Sequence, residues 1–473
     1  MRAKSGFIVL TAVLLTAAAF GAPSRPNLLL IYTDDQGWAD LGVQGVNEHI
    51  RTPHIDRLAR DGVQFPRGYV TAPQCTPSRA GIITGTYQQR LGVEENNILL
   101  PLDAVTLPER LGTAGYVSGI SGKWHLNVER VPGQGRRNRF AASHLPHHHG
   151  FDEYFTGFMQ DYEASHALDG TPFPDAPRNV HDDRFRVTIQ TEAALSFLER
   201  RQGDADRPWF LYVSYMAPHV PLESPEPWFS RTPEDLPLKR RQGLALMAAI
   251  DEGVGQLRRK VREMGEERET LVFFISDNGA PLAGRSWDGS INMPMRGQKG
   301  MLSEGGIRVP FLAAWPGTIP AGQVFEHPVI TLDVAATAVA AAGVAPDAAL
   351  DGVNLLPYLT GERPGAPHRA LYWRWRSQAA ILQMPYKLVL LGDRNRLLFD
   401  IRTPEAEHES RNLAGTRPDV ADRLQADLET WLDDLEPPGL ITKLDRYHEG
   451  LFAHYDIIAP REGSAAVPPE SVQ

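Results

Sequence analysis

The chain has 473 residues, of which 42% are hydrophobic and 22% charged, with a formal net charge of −10 and a single cysteine. This composition excludes disorder as the default and is enough for a large core plus a smaller appendage. The acidic balance excludes a nucleic-acid partner, which needs a basic face, and a lone cysteine excludes both an internal disulfide and a thiolate metal cage.

The first residues carry Arg2 and Lys4, then an apolar run from Phe7 to Phe20, then the small residues Gly21 and Ala22 before Pro23-Ser24. A basic region, a short apolar core and small residues predict a cleaved secretory leader over residues 1–22, because the run is shorter than the roughly 20 apolar residues a membrane span needs. Export without cystine pairs suits a bacterial periplasmic or secreted protein better than an animal lysosomal one.

Asn27 to Thr33 reads as a continuous apolar strand ending at Asp34-Asp35, Thr52-Pro53 opens a helix through Arg60, and Pro77 to Thr84 forms a short helix. Strands at Tyr116 to Ile120, Pro208 to Ser214 and Thr270 to Ser276 alternate with helices at Asp183 to Arg200 and Gly243 to Met264. Unbroken apolar strands alternating with helices predict an α/β core, a mostly parallel sheet sandwiched by helices. Val131 to Arg178 is rich in Pro, Gly, His and Arg and reads as long loops roofing a site, with His144, His147, His148 and His149 among them. Beyond Gly361, short runs at Leu371 to Trp375, Ala380 to Gln383, Lys387 to Leu391 and Arg396 to Asp400, with a helix near Val420 to Leu435, predict a smaller C-terminal α+β domain carrying an antiparallel sheet. The expected division is a main unit over 23–360, a C-terminal subdomain over 361–459 and a disordered tail over 460–473. In Trp373-Arg374-Trp375-Arg376 the indoles share one strand face and are expected to pack on the core, the alternative being a platform for sugars.

Cys75 heads the run Cys75-Thr76-Pro77-Ser78-Arg79, closed by Thr84-Gly85, close to a helix N-terminus, a position that attracts anions and lowers thiol pKa. Taken alone it would more readily be a buried packing residue. Asp34-Asp35 and Asp277-Asn278 follow predicted strands, where open α/β sheets place their ligands. Each pair alone reads as a turn; together they offer oxygen donors without His or Cys, which selects Ca²⁺ or Mg²⁺ over zinc. Basic candidates follow in Gly122-Lys123-Trp124-His125-Leu126, in Ala217-Pro218-His219-Val220-Pro221 and at Lys299 in Arg296-Gly297-Gln298-Lys299-Gly300.

The Cys-Thr-Pro-Ser-Arg run with its Thr-Gly closure resembles the formylglycine signature of the type I sulfatase family, in particular its arylsulfatase and N-acetylgalactosamine-6-sulfatase branch. The Lys-Trp-His run and the segment Arg296 to Pro310, with Glu304-Gly305-Gly306 and Arg308-Val309-Pro310, are similar to the family in the same order, over Pro26 to about Leu413. The resemblance implies an alkaline-phosphatase-like fold and oxidation of Cys75, by a formylglycine-generating or anaerobic sulfatase-maturating enzyme, to an aldehyde whose hydrate is the nucleophile. It implies one divalent ion, calcium rather than magnesium, shared by Asp34, Asp35, Asp277, Asn278 and the oxygen at position 75. The implied activity is hydrolysis of sulfate monoesters, exo-acting on sulfated sugars, through a covalent sulfo-enzyme. In it Arg79, Lys123 and Lys299 neutralise the sulfate, Asp277 acts as base for the attack and His219 protonates the leaving alcohol. His125 deprotonates the second hydroxyl of the hydrate, which expels sulfate. Asn127 departs from the glycine common after Lys-Trp-His-Leu. A phosphomonoester or phosphonate hydrolase of the same fold and a catalytically silent glycan-binding relative are the alternative readings.

Overall fold

Leu28, Leu30 and Tyr32 of the first strand are buried on one face and Leu29 and Ile31 on the other, so the apolar run is continuous because both faces are covered. The computed structural model describes residues 25–435 except 132–137, 205–206, 283–285, 346, 393–394 and 404–410; the expected leader and tail lie outside the described residues. In chain order the main strands are β1 (Asn27–Asp34), β2 (Val63–Gln64), β3 (Val117–Gly122), β4 (Glu153–Phe158), β5 (Asp161–Ala164), β6 (Arg178–His181), β7 (Trp209–Pro218), β8 (Thr270–Ser276), β9 (Phe311–Ala314) and β10 (Gln323–Val324). They form one sheet in the order β10-β2-β9-β8-β1-β7-β3-β4-β5-β6. The central strands β8, β1, β7, β3 and β4 run parallel, and antiparallel partners flank them on both sides.

Helices α1 (Pro53–Asp61), α2 (Cys75–Thr84), α3 (Arg186–Arg201), α4 (Leu238–Glu263) and α5 (Leu332–Ala341) cover this sheet. The Leu29 face packs on Ile55 and Leu58 of α1, Phe197 of α3 and Ile250 of α4. The Leu28 face packs on Ile82 and Ile83 of α2 and Leu332 of α5. The sheet runs further than sequence periodicity indicates: β4, β5 and β6 lie in and at the end of the stretch read as loops. Their mixed composition hides the period-2 signal, and pairing supplies what the pattern lacks. Phe155 of β4 stands opposite Ala164 of β5, with its ring 4.7 Å from that of Tyr162. The histidines do occupy irregular backbone, two short 3₁₀ turns at Ala142–His144 and Pro146–His149, with His149 buried against Trp124.

The C-terminal strands β11 (Leu371–Trp375), β12 (Gln378–Gln383), β13 (Tyr386–Leu391) and β14 (Asn395–Asp400) form an antiparallel meander, followed by α6 (Pro418–Asp433). Ile381 and Leu388 face Leu424 and Leu428 of α6. On the other face Trp373, Trp375, Ala380 and Val389 join the main core, and Trp373 Nε1 donates to Val70 O at 2.7 Å. Both indoles are buried, so packing on the core, not a sugar platform, is what the alternation encodes. Arg374 grips Glu94 with two bonds of 2.6 and 3.0 Å, and Arg376 pairs with Glu95.

His368 ties the approach to this meander to α5. Its Nε2 is 2.9 Å from both carboxylate oxygens of Asp333, which also accept the amides of Ile330 and Val353 at 2.9 and 2.8 Å. Burial works against the imidazolium, but the Asp333 carboxylate prevails and raises the His368 pKa. The stability this adds is fully present below the unfolded histidine pKa of about 6.5 and is lost as pH rises through the higher folded value. His368→Gln is therefore expected to cost on the order of 2 kcal/mol in urea unfolding near pH 6, and less near pH 9. An equal loss at both pH values would show that the charge on His368 plays no part.

Candidate active site

Four parallel strands deliver their following residues to one edge of the sheet, and backbone bonds fix the alignment. Asp277 N donates to Thr33 O at 3.0 Å, His219 N to Asp34 O at 3.1 Å and Lys123 N to Ser214 O at 2.8 Å. Asp34, Asp35, Lys123, His219, Asp277 and Asn278 thus converge beyond the carboxyl ends of β1, β3, β7 and β8. The turn after β3 needs glycine: Gly122 has φ +101°, and a Cβ there would sit 2.1 Å from Ser214 O. Gly279 is required for a different reason, since a Cβ on it would lie 1.9 Å from Gly305 O, where the segment bearing Lys299 returns against the strand end.

Cys75 is the first residue of α2, a helix buried over all ten of its residues. Its Sγ lies 3.4 Å from Asp34 Oδ1, and Lys299 Nζ lies 3.0 Å from Sγ and 2.5 Å from Asp35 Oδ1. Lys123 Nζ donates to Asp34 Oδ2 at 2.6 Å. Arg79, one helical turn after Cys75 and so on the same face, donates from Nε and Nη2 to Asp277 Oδ2 at 3.1 and 2.8 Å. Its Nη1 donates to Ser214 Oγ at 2.6 Å. His219 Nε2 stands 3.6 Å from Asp35 Oδ2. His125 joins from the side, its carbonyl accepting from Thr76 Oγ1 at 3.4 Å. Every candidate named from the sequence is brought into this one cluster.

Electrostatics correct one expectation. The helix N-terminus does not acidify the Cys75 thiol: burial pushes its pKa well up, with the Asp277 carboxylate acting in the same direction against Lys123 and Lys299. Burial and the neighbouring Asp34 raise Asp277 to about 6. Burial opposes ionisation of Asp34 too, but Lys123 overrides it and holds that carboxyl well below its usual range. Lys299 is disfavoured by burial yet kept charged by Asp35. Burial and then Lys123 keep His125 neutral, while burial lowers His219 against the pull of Asp34 and Asp35. The His219 tautomer is set by geometry: Nδ1 is 2.6 Å from Val220 O, a carbonyl that only accepts, so Nδ1 carries the hydrogen and Nε2 titrates.

The donor set can hold a divalent cation. One ligand atom each from Asp34, Asp35, Cys75 and Asp277 lies within 4.8 Å of the others, all four residues being buried. Asn278 Oδ1 is buried with no hydrogen-bond partner, an acceptor lone pair aligned with no donor. Carboxylates plus an amide oxygen suit a hard ion.

Other residues of the cluster carry no local signal in the sequence. Asn96 Oδ1 accepts the Thr76 amide at 3.0 Å and Asn97 Oδ1 lies 3.2 Å from His125 Nε2, which leaves His125 Nδ1 buried and unpartnered. Arg186 Nη2 donates to the carbonyls of His219 and Pro221 at 2.6 and 2.9 Å and fixes the His219 loop. The Glu94-Glu95-Asn96-Asn97 run announces a turn, but nothing in it announces what the turn supports.

The Sulfatase family model matches residues 26–344, and the C-terminal model of N-sulphoglucosamine sulphohydrolase matches 297–407. The dog N-acetylgalactosamine-6-sulfatase is 34% identical over 417 residues, which span 80% of this chain and 74% of that protein. Bovine arylsulfatase A is 37% identical over 391 residues, spanning 77% of this chain and 73% of its own. Among solved structures, Ps i-CgsB in complex with k-i-k-neocarrahexaose superposes with a TM-score of 0.76 at 28% identity, covering 92% of this chain and 98% of that one. A phosphonate monoester hydrolase from Silicibacter pomeroyi reaches 0.66 at 22% identity over 87% of this chain and 96% of its own, a likeness of fold alone. The chain belongs to the sulfatase family, as a type I sulfatase of the alkaline-phosphatase-like superfamily and hence a sulfuric ester hydrolase.

Proposed function

We propose that this sulfatase removes sulfate from the ends of sulfated carbohydrates, with Cys75 matured to formylglycine and one Ca²⁺ held by Asp34, Asp35, Asp277, Asn278 and residue 75. The observation that carries the reading is one buried thiol attended by three cations, the half-buried Lys299 at 3.0 Å from Sγ and the buried Lys123 and Arg79 on the carboxylates beside it. A sulfate ester repels nucleophiles until its charge is offset, and preorganised cations in a water-poor site do this with little reorganisation. The formylglycine hydrate would supply a nucleophilic oxygen and a second hydroxyl whose deprotonation breaks the carbon bond to the sulfated oxygen, and the cation would offset charge on the ester oxygens.

The chain's own residues divide the remaining work. Arg79, Lys123 and Lys299 bind the sulfate oxygens. Asp277, titrating at about 6, is basic enough near neutral pH to accept a proton. His219 hands a proton from Nε2 to the departing alcohol, and His125 takes one up at its unpartnered Nδ1. Action at chain ends is supported by depth: Cys75 is 1% exposed, whereas His219 keeps 26% of its side chain open, so a substrate enters past His219 and terminates at Cys75. Carbohydrate substrates are supported by the relatives, one named for N-acetylgalactosamine 6-sulfate and one solved with a neocarrahexaose. Residues 23–360 would carry the chemistry, with 361–459 as a C-terminal subdomain that braces Glu94 and Glu95 through Arg374 and Arg376. Residues 1–22, read as a cleaved leader, would direct the chain to the periplasm or beyond, and a formylglycine-generating or anaerobic maturating enzyme is the implied partner.

Cys75→Ala should lower turnover of sulfate esters at least a thousandfold, as loss of a nucleophile does, and mass spectrometry of the wild-type peptide spanning residue 75 should show the aldehyde or its hydrate. Full activity with an unmodified thiol would refute the maturation. His219→Ala should cost roughly 10²- to 10⁴-fold on sugar sulfates but much less on nitrophenyl sulfate, whose leaving group needs no proton. Equal losses on both would remove the acid role. Chelation should abolish turnover and lower the melting temperature by several degrees, with Ca²⁺ restoring both better than Mg²⁺. Turnover indifferent to chelation and metal would exclude the ion.

A further inference from the structure

Beyond the ends of β3 and β4 the sheet edge opens into a cleft of about 350 Å³, lined on one side by Trp124 and Asn127, the neighbours of His125. Phe158, at the end of β4, lines the other side, and its ring meets the His125 ring edge-on at 5.4 Å, so the cleft and the sulfate site share a wall. Phe140 stands on the rim with 61% of its surface exposed and its ring 5.5 Å from that of Phe158, an aromatic surface at a wet edge.

The charge of the lining is opposite to that around Cys75. Asp161 and Glu163 contribute carboxylates, and no described lining residue is Lys or Arg; His181 stands behind Asp161 at 2.7 Å, outside the lining. Carboxylates accept strongly from sugar hydroxyls, while an anionic substituent set against them would be desolvated without a cation to pair with. We infer that this cleft binds an uncharged sugar ring joined to the sulfated unit, and that it disfavours a second sulfate or a carboxylate on that ring. The inference rests on the carbohydrate reading of the active site.

The test is kinetic, on the matured enzyme, with three substrates: an aryl sulfate without a sugar, a monosulfated disaccharide whose second ring is neutral, and the same disaccharide with a further sulfate on that ring. Wild type is expected to prefer the neutral-ring disaccharide over the doubly sulfated one by about tenfold in kcat/KM, about one desolvated hydrogen bond's worth of discrimination. Phe140→Ala should lower the ratio of kcat/KM on the neutral-ring disaccharide to that on the aryl sulfate by about five- to tenfold, mainly through KM. Glu163→Lys should move the preference toward the doubly sulfated disaccharide. Ratios unmoved in both variants, or a wild type that prefers the doubly sulfated ring, would overturn the cleft assignment while leaving the proposed function standing. Turnover of the aryl sulfate with neither disaccharide cleaved would instead refute the carbohydrate reading, and the cleft assignment with it.

Discussion

Asp34, Asp35, Asp277, Arg79, Lys123 and Lys299 share a volume from which water is nearly excluded, and none could be there alone. An isolated buried charge is costly enough that it would rather change protonation than stay ionised. Here each carboxylate is matched to a cation at 2.5 to 2.8 Å, Asp35 to Lys299, Asp34 to Lys123 and Asp277 to Arg79. The matching demands that four strand ends and one helix start arrive in register, so the electrostatics of the site and the topology of the sheet are a single constraint. The parallel alignment of β8, β1, β7 and β3 supplies that register, and Gly122 and Gly279 allow the backbone to approach closely where side chains would not fit.

The same constraint explains the C-terminal meander. Its inner face is part of the main core, and Arg374 and Arg376 bind the glutamates that precede Asn96 and Asn97. Those asparagines hold the first turn of α2 and the ring of His125. A subdomain distant in sequence from Cys75 thereby sets the geometry of its surroundings. Truncation in the meander would be felt in the site as lost alignment before it was felt as unfolding.

What the sequence makes legible follows from how local each signal is. The strand ends bearing Asp34-Asp35 and Asp277-Asn278 stand out because unbroken apolar runs stop abruptly at polar pairs, and Trp373 and Trp375 declare a face by alternation. β4 to β6 escape notice because Gly and charged residues interrupt their alternation and pairing alone holds them. Ser214, Asn97 and Arg186 are illegible for another reason: each matters only through a partner far along the chain, Arg79, His125 and the His219 loop respectively. The acidity of the Cys75 thiol is misjudged because a helix terminus is visible in sequence while the depth of its burial is not.

That depth has a bearing on time as well as space. α2 is enclosed along its whole length, and Cys75 presents almost no surface. An enzyme large enough to recognise a peptide segment cannot reach that carbon once the helix has docked between β1 and α5. The proposed conversion of residue 75 would thus belong to the nascent or unfolded chain, and docking of α2 would close the interval in which it can occur. A chain that folded ahead of that proposed modification would seal an inert thiol inside an otherwise complete site, so the active fraction of a preparation would record a race between two rates rather than an equilibrium.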